Sequence, residues 1–185
     1  MTSEDLVVAV FDALTALDVP FMVSESLASN FYGVPRATQD ADLVLELNAV
    51  PIDRLAARLR DTFDFDSQVS FETVTGSRRL VAHARDSAFD VEFFDVTDDR
   101  HDRERFARRR MVTVLGRAVA LPTPEDVIIV KLRWWQLAGR RKDVDDARNV
   151  VAVQRASLDQ EYLRRWCEEL GVLGLLEDVE RSLNV

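Results

Sequence analysis

Strand-like apolar runs stop near residue 122, and that one switch limits the chain to an α/β core followed by a helical half. "TSEDLVVAVFDALTALDV" opens with the cap residues Thr2 and Ser3, and Leu6, Val7, Val10, Phe11, Leu14 and Leu17 follow at helical spacing until Pro20. "FMVS" reads as a short buried strand, "ESLASNFYG" as a helix closed by Gly33, and "ADLVLEL" as a second strand. "VPIDRLAARLRDTF" reads as a helix with Pro51 in its first turn. Three β-like runs come next: "SQVSFETV", "RRLVAHAR" and "FDVEFFDV", with Gly76 and Ser77 as a turn between the first two. "HDRERFARRR" is a polar helix or loop, and "MVTVLGRAVAL" is apolar with a break at Gly116. Thr123 as cap, Pro124 at the first position, then Glu125 and Asp126, mark a helix start, and the pattern stays helical to Val185. The expected fold is α/β (α+β): a small mixed β-sheet with flanking helices over residues 1–121, and a C-terminal helical region, 122–185, packed on it.

A net charge of -9 argues against whole-face binding to nucleic acid, while leaving room for a local basic patch. The single cysteine, Cys167, allows no internal disulfide and reads as a packing residue. No apolar run approaches the roughly 20 residues needed to span a bilayer, and Glu4 and Asp5 stand where a signal peptide would carry Lys or Arg. These features lead to the expectation of a soluble, cytoplasmic protein without a membrane partner.

The chemistry concentrates in "VPRATQDADLVLEL". Asp40 and Asp42 are two apart at the mouth of a strand, so both point to one face with Cα atoms roughly 6.5 Å apart. Carboxylates held that close repel unless a cation sits between them, and hard oxygen donors suit Mg²⁺ or Mn²⁺. A third carboxylate from a neighbouring strand would complete a clamp for in-line phosphoryl transfer. "AFDVEFFDV" offers Asp90 and Glu92, again two apart, with Asp95 on the opposite face of a regular strand. A plainer account also stands: Asp caps turns at strand starts, and Asp90 and Glu92 suit an alternating edge strand facing solvent.

"FMVSESLASNFYGVPRATQDADLVLEL" resembles the opening signature of the nucleotidyltransferase superfamily, the polymerase-beta-type fold. The similarity leans toward the small bacterial abortive-infection and toxin–antitoxin nucleotidyltransferases. "LPTPEDVIIVKLRWW" and "GRRKDVDDARNVV" resemble the helical half of that family, so the likeness covers roughly residues 18 to 170. The resemblance implies a metal-dependent enzyme, using Mg²⁺ or Mn²⁺, that moves a nucleoside monophosphate from an NTP to an acceptor hydroxyl on RNA, protein or a small molecule. Asp40 and Asp42 match the two metal-binding acids, and Glu92 matches the third, with Asp90 in its place if the register is off by one pair. Ser26 falls on the second position of the family's Gly-Ser turn, where a hydroxyl and a backbone N–H meet phosphate. Lys131 matches a lysine that reaches the substrate phosphates, a role to set beside that of an ordinary salt-bridged helix lysine. Asp143, Asp145 and Asp146 match a recurrent motif and suit structural pairing with Arg36, Arg140 or Arg148.

Where the family carries its first turn glycine, this chain has Glu25. Glutamate adds bulk and a negative charge beside an anionic ligand, which weakens nucleotide binding. The same stretch also reads as Ser24 capping a helix with Glu25 in its first turn, or as Glu25 supplying an extra metal ligand. Glu25 therefore supports an alternative to the enzyme: a catalytically degenerate nucleotidyltransferase-fold protein acting as a nucleotide- or partner-binding module.

Arg100–Arg110 holds six arginines against Asp102 and Glu104 and is the candidate surface for an RNA or protein partner, or else a solvated helix paired with nearby acids. His83 reads as a strand residue and His101 as surface. Of Trp134 and Trp135, one is expected in the core. Leu158, Tyr162, Leu163, Trp166 and Leu170 form a stripe expected to pack within the chain.

Overall fold

The structure, a computed structural model, describes residues 1–72 and 76–183. The chain divides into two compact units: Met1–Ser24 with Thr38–Leu121, and Glu25–Ala37 with Pro122–Val185. The first is α/β and the second helical.

In the first unit, α1 (Ser3–Ala16) begins at a reciprocal cap. The Asp5 N–H donates to the Thr2 hydroxyl (3.1 Å) and the Thr2 N–H donates to the Asp5 carboxylate (2.8 Å). Its apolar stripe is buried, and Phe11 stacks on Phe21 with ring centroids 5.6 Å apart. The strands are β1 (Phe21–Val23), β2 (Asp40–Leu45), β3 (Phe63–Phe65), β4 (Ser70–Phe71), β5 (Arg78–Ala84) and β6 (Asp90–Asp95). They form one mixed sheet in the order β1-β2-β6-β5-β3, with β4 also beside β5. β2 and β6 run parallel and the other pairs antiparallel.

Register sorts this sheet into two faces. Phe21, Val23, Leu43, Leu45, Val91, Phe93, Leu80, Ala82 and Phe63 share one face by their pairing and alternation, and all are buried. Asp40, Asp42, Asp90, Glu92, Arg79 and His83 share the other. Strand alternation thus makes an oily side and, at one end of the parallel pair, a charged one.

The remaining elements of this unit are a short 3₁₀ turn (Leu47–Ala49), α3 (Ile52–Leu59), α4 (Arg100–Arg108) and a separate ribbon of β7 (Arg110–Val114) and β8 (Arg117–Leu121). The ribbon turns through Leu115 (φ 50°) and Gly116 (φ 73°), the left-handed pair that matches a two-residue hairpin to strand twist. Two sequence expectations change here. The helix expected to run to Phe63 ends at Leu59, because Phe63 is drawn into pairing with Ala84 on the apolar face. Of "SQVSFETV", only Ser70–Phe71 is strand, and Thr73 and Val74 lie outside the described residues.

The helical unit contains α2 (Glu25–Tyr32), α5 (Pro124–Ala138), α6 (Arg141–Gln154), α7 (Gln160–Glu169) and α8 (Leu173–Ser182). α5 starts as its sequence indicates, with Thr123 accepting from the Asp126 N–H and Pro124 inside the first turn. α2 packs against α5 and α6. A Cβ on Gly33 would sit 3.0 Å from the Ser29 carbonyl oxygen and 3.1 Å from the Val150 nitrogen, so a side chain there would crowd both. Tyr162, Leu163 and Trp166 of α7 are buried, and Tyr162 donates to Asp126 at 2.7 Å. Cys167 is fully buried, and burial pushes its thiol up to about 12. No described helix is long and apolar enough to cross a membrane.

Candidate active site

The parallel register between β2 and β6 sets Asp40 opposite Asp90 and Asp42 opposite Glu92. Four carboxylates therefore share one sheet face on two adjacent strands, which lie about 4.8 Å apart. Asp42 is nearly buried, at 9% exposure. Thr38 donates its hydroxyl to Asp40. Asp90 lies 2.9 Å from His83 Nδ1, and His83 Nε2 lies 3.2 Å from Asp66. Glu92 receives Arg79 Nη1 on both oxygens, at 3.3 and 3.2 Å.

The donor chemistry of this face fits a hard divalent cation, since every ligand on offer is a carboxylate oxygen. Yet among the described residues no three His, Cys, Asp or Glu side chains converge closely enough to hold a metal ion. The backbone brings the acids into one row, and Thr38, His83 and Arg79 engage Asp40, Asp90 and Glu92.

In the helical unit, Glu25 is the first residue of α2 and adopts φ 46°, the left-handed region where glycine is ordinarily favoured. Its carboxylate pairs with Lys131 Nζ at 2.9 Å and accepts from Trp134 Nε1 at 3.0 Å. Lys131 is 1% exposed and also meets Asp143 at 3.1 Å and Asp146 at 3.3 Å. Burial works against the charge on Lys131, but the Glu25, Asp143 and Asp146 carboxylates outweigh it and hold the ammonium well above its usual range. Arg36 bridges Asp146, at 2.8 Å, and the Ser26 hydroxyl, at 3.0 Å. Arg140 pairs with Asp143 at 2.7 Å, and Arg148 with Asp145. The three aspartates of "KDVDDAR" therefore each pair with arginine, Asp145 with Arg141 at 3.9 Å as well as with Arg148.

No protein-family model matches the sequence, and no curated protein matches it significantly. The fold, by contrast, has clear relatives. The structure of ANT(2")-Ia in complex with adenylyl-2"-tobramycin superimposes with a TM-score of 0.63 at 13% identity, covering 92% of this chain and 97% of that one. The chain has the nucleotidyltransferase fold. An antigenic nucleotidyltransferase-like protein from Paracoccidioides brasiliensis gives a TM-score of 0.60 at 19% identity, covering 98% of this chain and 91% of the other. The lincosamide antibiotic adenylyltransferase LnuA, lincomycin-bound, gives 0.53 at 8% identity, covering 83% and 98%.

On this nucleotidyltransferase fold the candidate residues fall into two sets. Asp40, Asp42 and Glu92 lie together on the charged sheet face, with Asp90 in the same row. Glu25 and Lys131 meet in an ion pair, with Ser26 joined to the same network through Arg36. Sequence reasoning did not assign Arg79 or His83 to the carboxylates. The alternation of "RRLVAHAR" puts Arg79, Val81 and His83 on one side, but only the pairing of β5 with β6 shows which acids they meet.

Two side-chain expectations are corrected. His101 is fully buried rather than on the surface, since α4 turns it and Arg105 inward. Neither Trp134 nor Trp135 is fully buried; Trp134 is held at the edge of its unit by Glu25 and by the Arg140 guanidinium 4.4 Å above its ring. Within Arg100–Arg110, Arg105 pairs with Asp102, Arg103 pairs with Asp98 and Arg109 lies over the Phe106 ring. At least two of its six arginines are thus paired with nearby acids.

Proposed function

We propose that this chain is a Mg²⁺-dependent nucleotidyltransferase that moves a nucleoside monophosphate from an NTP to an acceptor hydroxyl and releases pyrophosphate. The observation that carries the proposal is the register of Asp40 with Asp90 and Asp42 with Glu92 across a parallel pair. Carboxylates gathered on one sheet face repel unless positive charge stands among them, which a divalent cation would supply beside Arg79 and His83.

Asp40 and Asp42 would hold Mg²⁺ or Mn²⁺, with Glu92 as third ligand and Asp90 as its alternate. When bound, the cation neutralises triphosphate oxygens and eases attack at the α-phosphorus. Glu92 takes the proton from the acceptor hydroxyl. The acceptor oxygen then bonds to the α-phosphorus as its bond to the bridging oxygen breaks, and pyrophosphate leaves. The resemblance assigns phosphate contacts to Ser26 and Lys131, which this structure buries, at 4% and 1% exposure.

The test is incubation with each labelled NTP and Mg²⁺ against a panel of acceptors: an aminoglycoside, a lincosamide, RNA and protein. ANT(2")-Ia and LnuA place the two antibiotics first in the panel. Label should appear on one class of acceptor, with stoichiometric pyrophosphate, and vanish with EDTA. Absence of transfer from all four NTPs to every acceptor would end the enzymatic reading.

The Glu25–Lys131 contact favours a second reading. A carboxylate in the position of a phosphate-facing glycine already satisfies the lysine, as expected of a degenerate, toxin–antitoxin-like module that binds a partner rather than turning over NTP. In that case calorimetry with Mg²⁺ and ATP finds no binding to the natural chain, and Glu25→Gly gains it. Gain in the variant is expected because glycine relieves the left-handed φ and leaves Lys131 one carboxylate fewer. Binding of equal strength in both proteins would remove this reading.

A further inference from the structure

We infer that Arg79 is a positioning residue that competes with divalent cation for Glu92, so that the carboxylate face takes up metal together with a nucleotide rather than alone. The inference rests on the metal-dependent reading of the face. It follows from three observations on one strand. Arg79 lies on the same sheet face as Glu92, one step diagonally across the β5–β6 pair, where Arg79 opposes Phe94 and Val81 opposes Glu92. One guanidinium nitrogen reaches both Glu92 oxygens. Arg79 Nε is buried without a hydrogen-bond partner among the described residues, so the guanidinium is anchored through Glu92 and not by a full set of bonds.

An arginine so placed is displaceable. Both groups are part-exposed, at 31% and 23%, and a pair of that kind is weak and screened by salt. It is nonetheless strong enough to bias a hydrated ion. Mg²⁺ gives up water reluctantly and is ordinarily held by one or two carboxylates together with substrate phosphates. With Glu92 occupied by a positive charge, Asp40 and Asp42 offer two carboxylates, and triphosphate oxygens must supply the rest. A bound metal–nucleotide complex would free Glu92 from Arg79, and the carboxylate would then be able to receive the acceptor proton. Metal and nucleotide binding are thereby coupled.

The probe is Mn²⁺ alone, measured by titration calorimetry or by the loss of free-ion EPR signal, at low ionic strength and without nucleotide. Arg79→Gln should bind Mn²⁺ about tenfold more tightly than the natural chain, since a unit positive charge beside the ion has been removed. Arg79→Lys, which keeps the charge, should remain near the natural affinity. Asp42→Asn should lose the binding in either background. Equal affinity in Arg79→Gln and the natural chain, with Asp42→Asn still weaker, overturns the competition and leaves the metal reading standing. Mn²⁺ binding by none of the proteins overturns the competition, and binding indifferent to Asp42→Asn overturns both. Circular dichroism identifies any variant that has failed to fold, and Arg79→Met, which also removes the charge, keeps the test decisive if Arg79→Gln is lost.

Discussion

Asp42→Asn is expected to abolish nucleotidyl transfer while leaving the chain folded. The substitution keeps shape and backbone: the Ser24 N–H donates to the Asp42 carbonyl at 2.8 Å, a bond that asparagine preserves. What it removes is one negative charge from a face that carries four carboxylates in register. Loss of repulsion offsets the change in side-chain bonding, so stability should stay within about 1 kcal/mol of the natural chain. Metal capture suffers far more. Removing only a group that supports a ligand costs roughly 10–100-fold in affinity or activity, and Asp42 is proposed as a ligand itself. Transfer should fall by more than about 100-fold at saturating Mg²⁺. Urea denaturation alongside the labelled-NTP assay separates the two quantities. A variant that transfers normally would show that this face is not the catalytic one.

The second large effect concerns stability. Lys131→Met should destabilise the chain by roughly 3–5 kcal/mol, the cost of leaving buried charges without their partner. Lys131 is the shared cation of Glu25, Asp143 and Asp146, of which Asp143 is fully buried. Without it, Arg36 still serves Asp146 and Arg140 still serves Asp143, so three acids are left with two arginines. In a chain of this size that loss lowers Tm on the order of 10 °C.

The pH dependence distinguishes this cause from a packing defect. In the natural chain, burial works to raise the Asp146 pKa, but hydrogen bonding from Arg36 and the Lys131 charge reverse that and leave it below its ordinary 3.8. A lowered folded pKa contributes stability above the unfolded value and loses it as pH falls through the folded one, so natural-chain stability should drop below about pH 4. In Lys131→Met the exposed imbalance favours protonation, and mild acid should restore part of the lost stability. If acid leaves the deficit unchanged, the lysine acts through its hydrocarbon stem and not its charge.

Much of the helical unit was legible from residues close together in sequence. Thr123, Pro124 and Asp126 mark the start of α5 because capping is decided within four residues. The pairing of Asp143 with Arg140 and of Asp145 with Arg148 follows the three-residue spacing of a helix face. The pairing of Asp146 with Arg36 crosses 110 positions, and it was expected only as one choice among three arginines. The helix predicted through Phe63 failed for the opposite reason, since local propensity there yields to a partner strand twenty residues away.

The carboxylates divide along the same line. Strand alternation alone puts Asp40 with Asp42, and Asp90 with Glu92, because the side-chain period of a strand is a local property. That the two pairs face each other in register, and that Arg79 and His83 stand beside them, depends on which strands are neighbours. The same holds for Glu25: its identity is plain in the sequence, whereas its left-handed backbone and its bond to Lys131 exist only once α2 packs against α5. Sequence by itself determined the elements and the charges they carry, because both are settled within a few residues. Tertiary structure decided which charges meet, because those distances are set by strand order and helix packing over a hundred residues of chain.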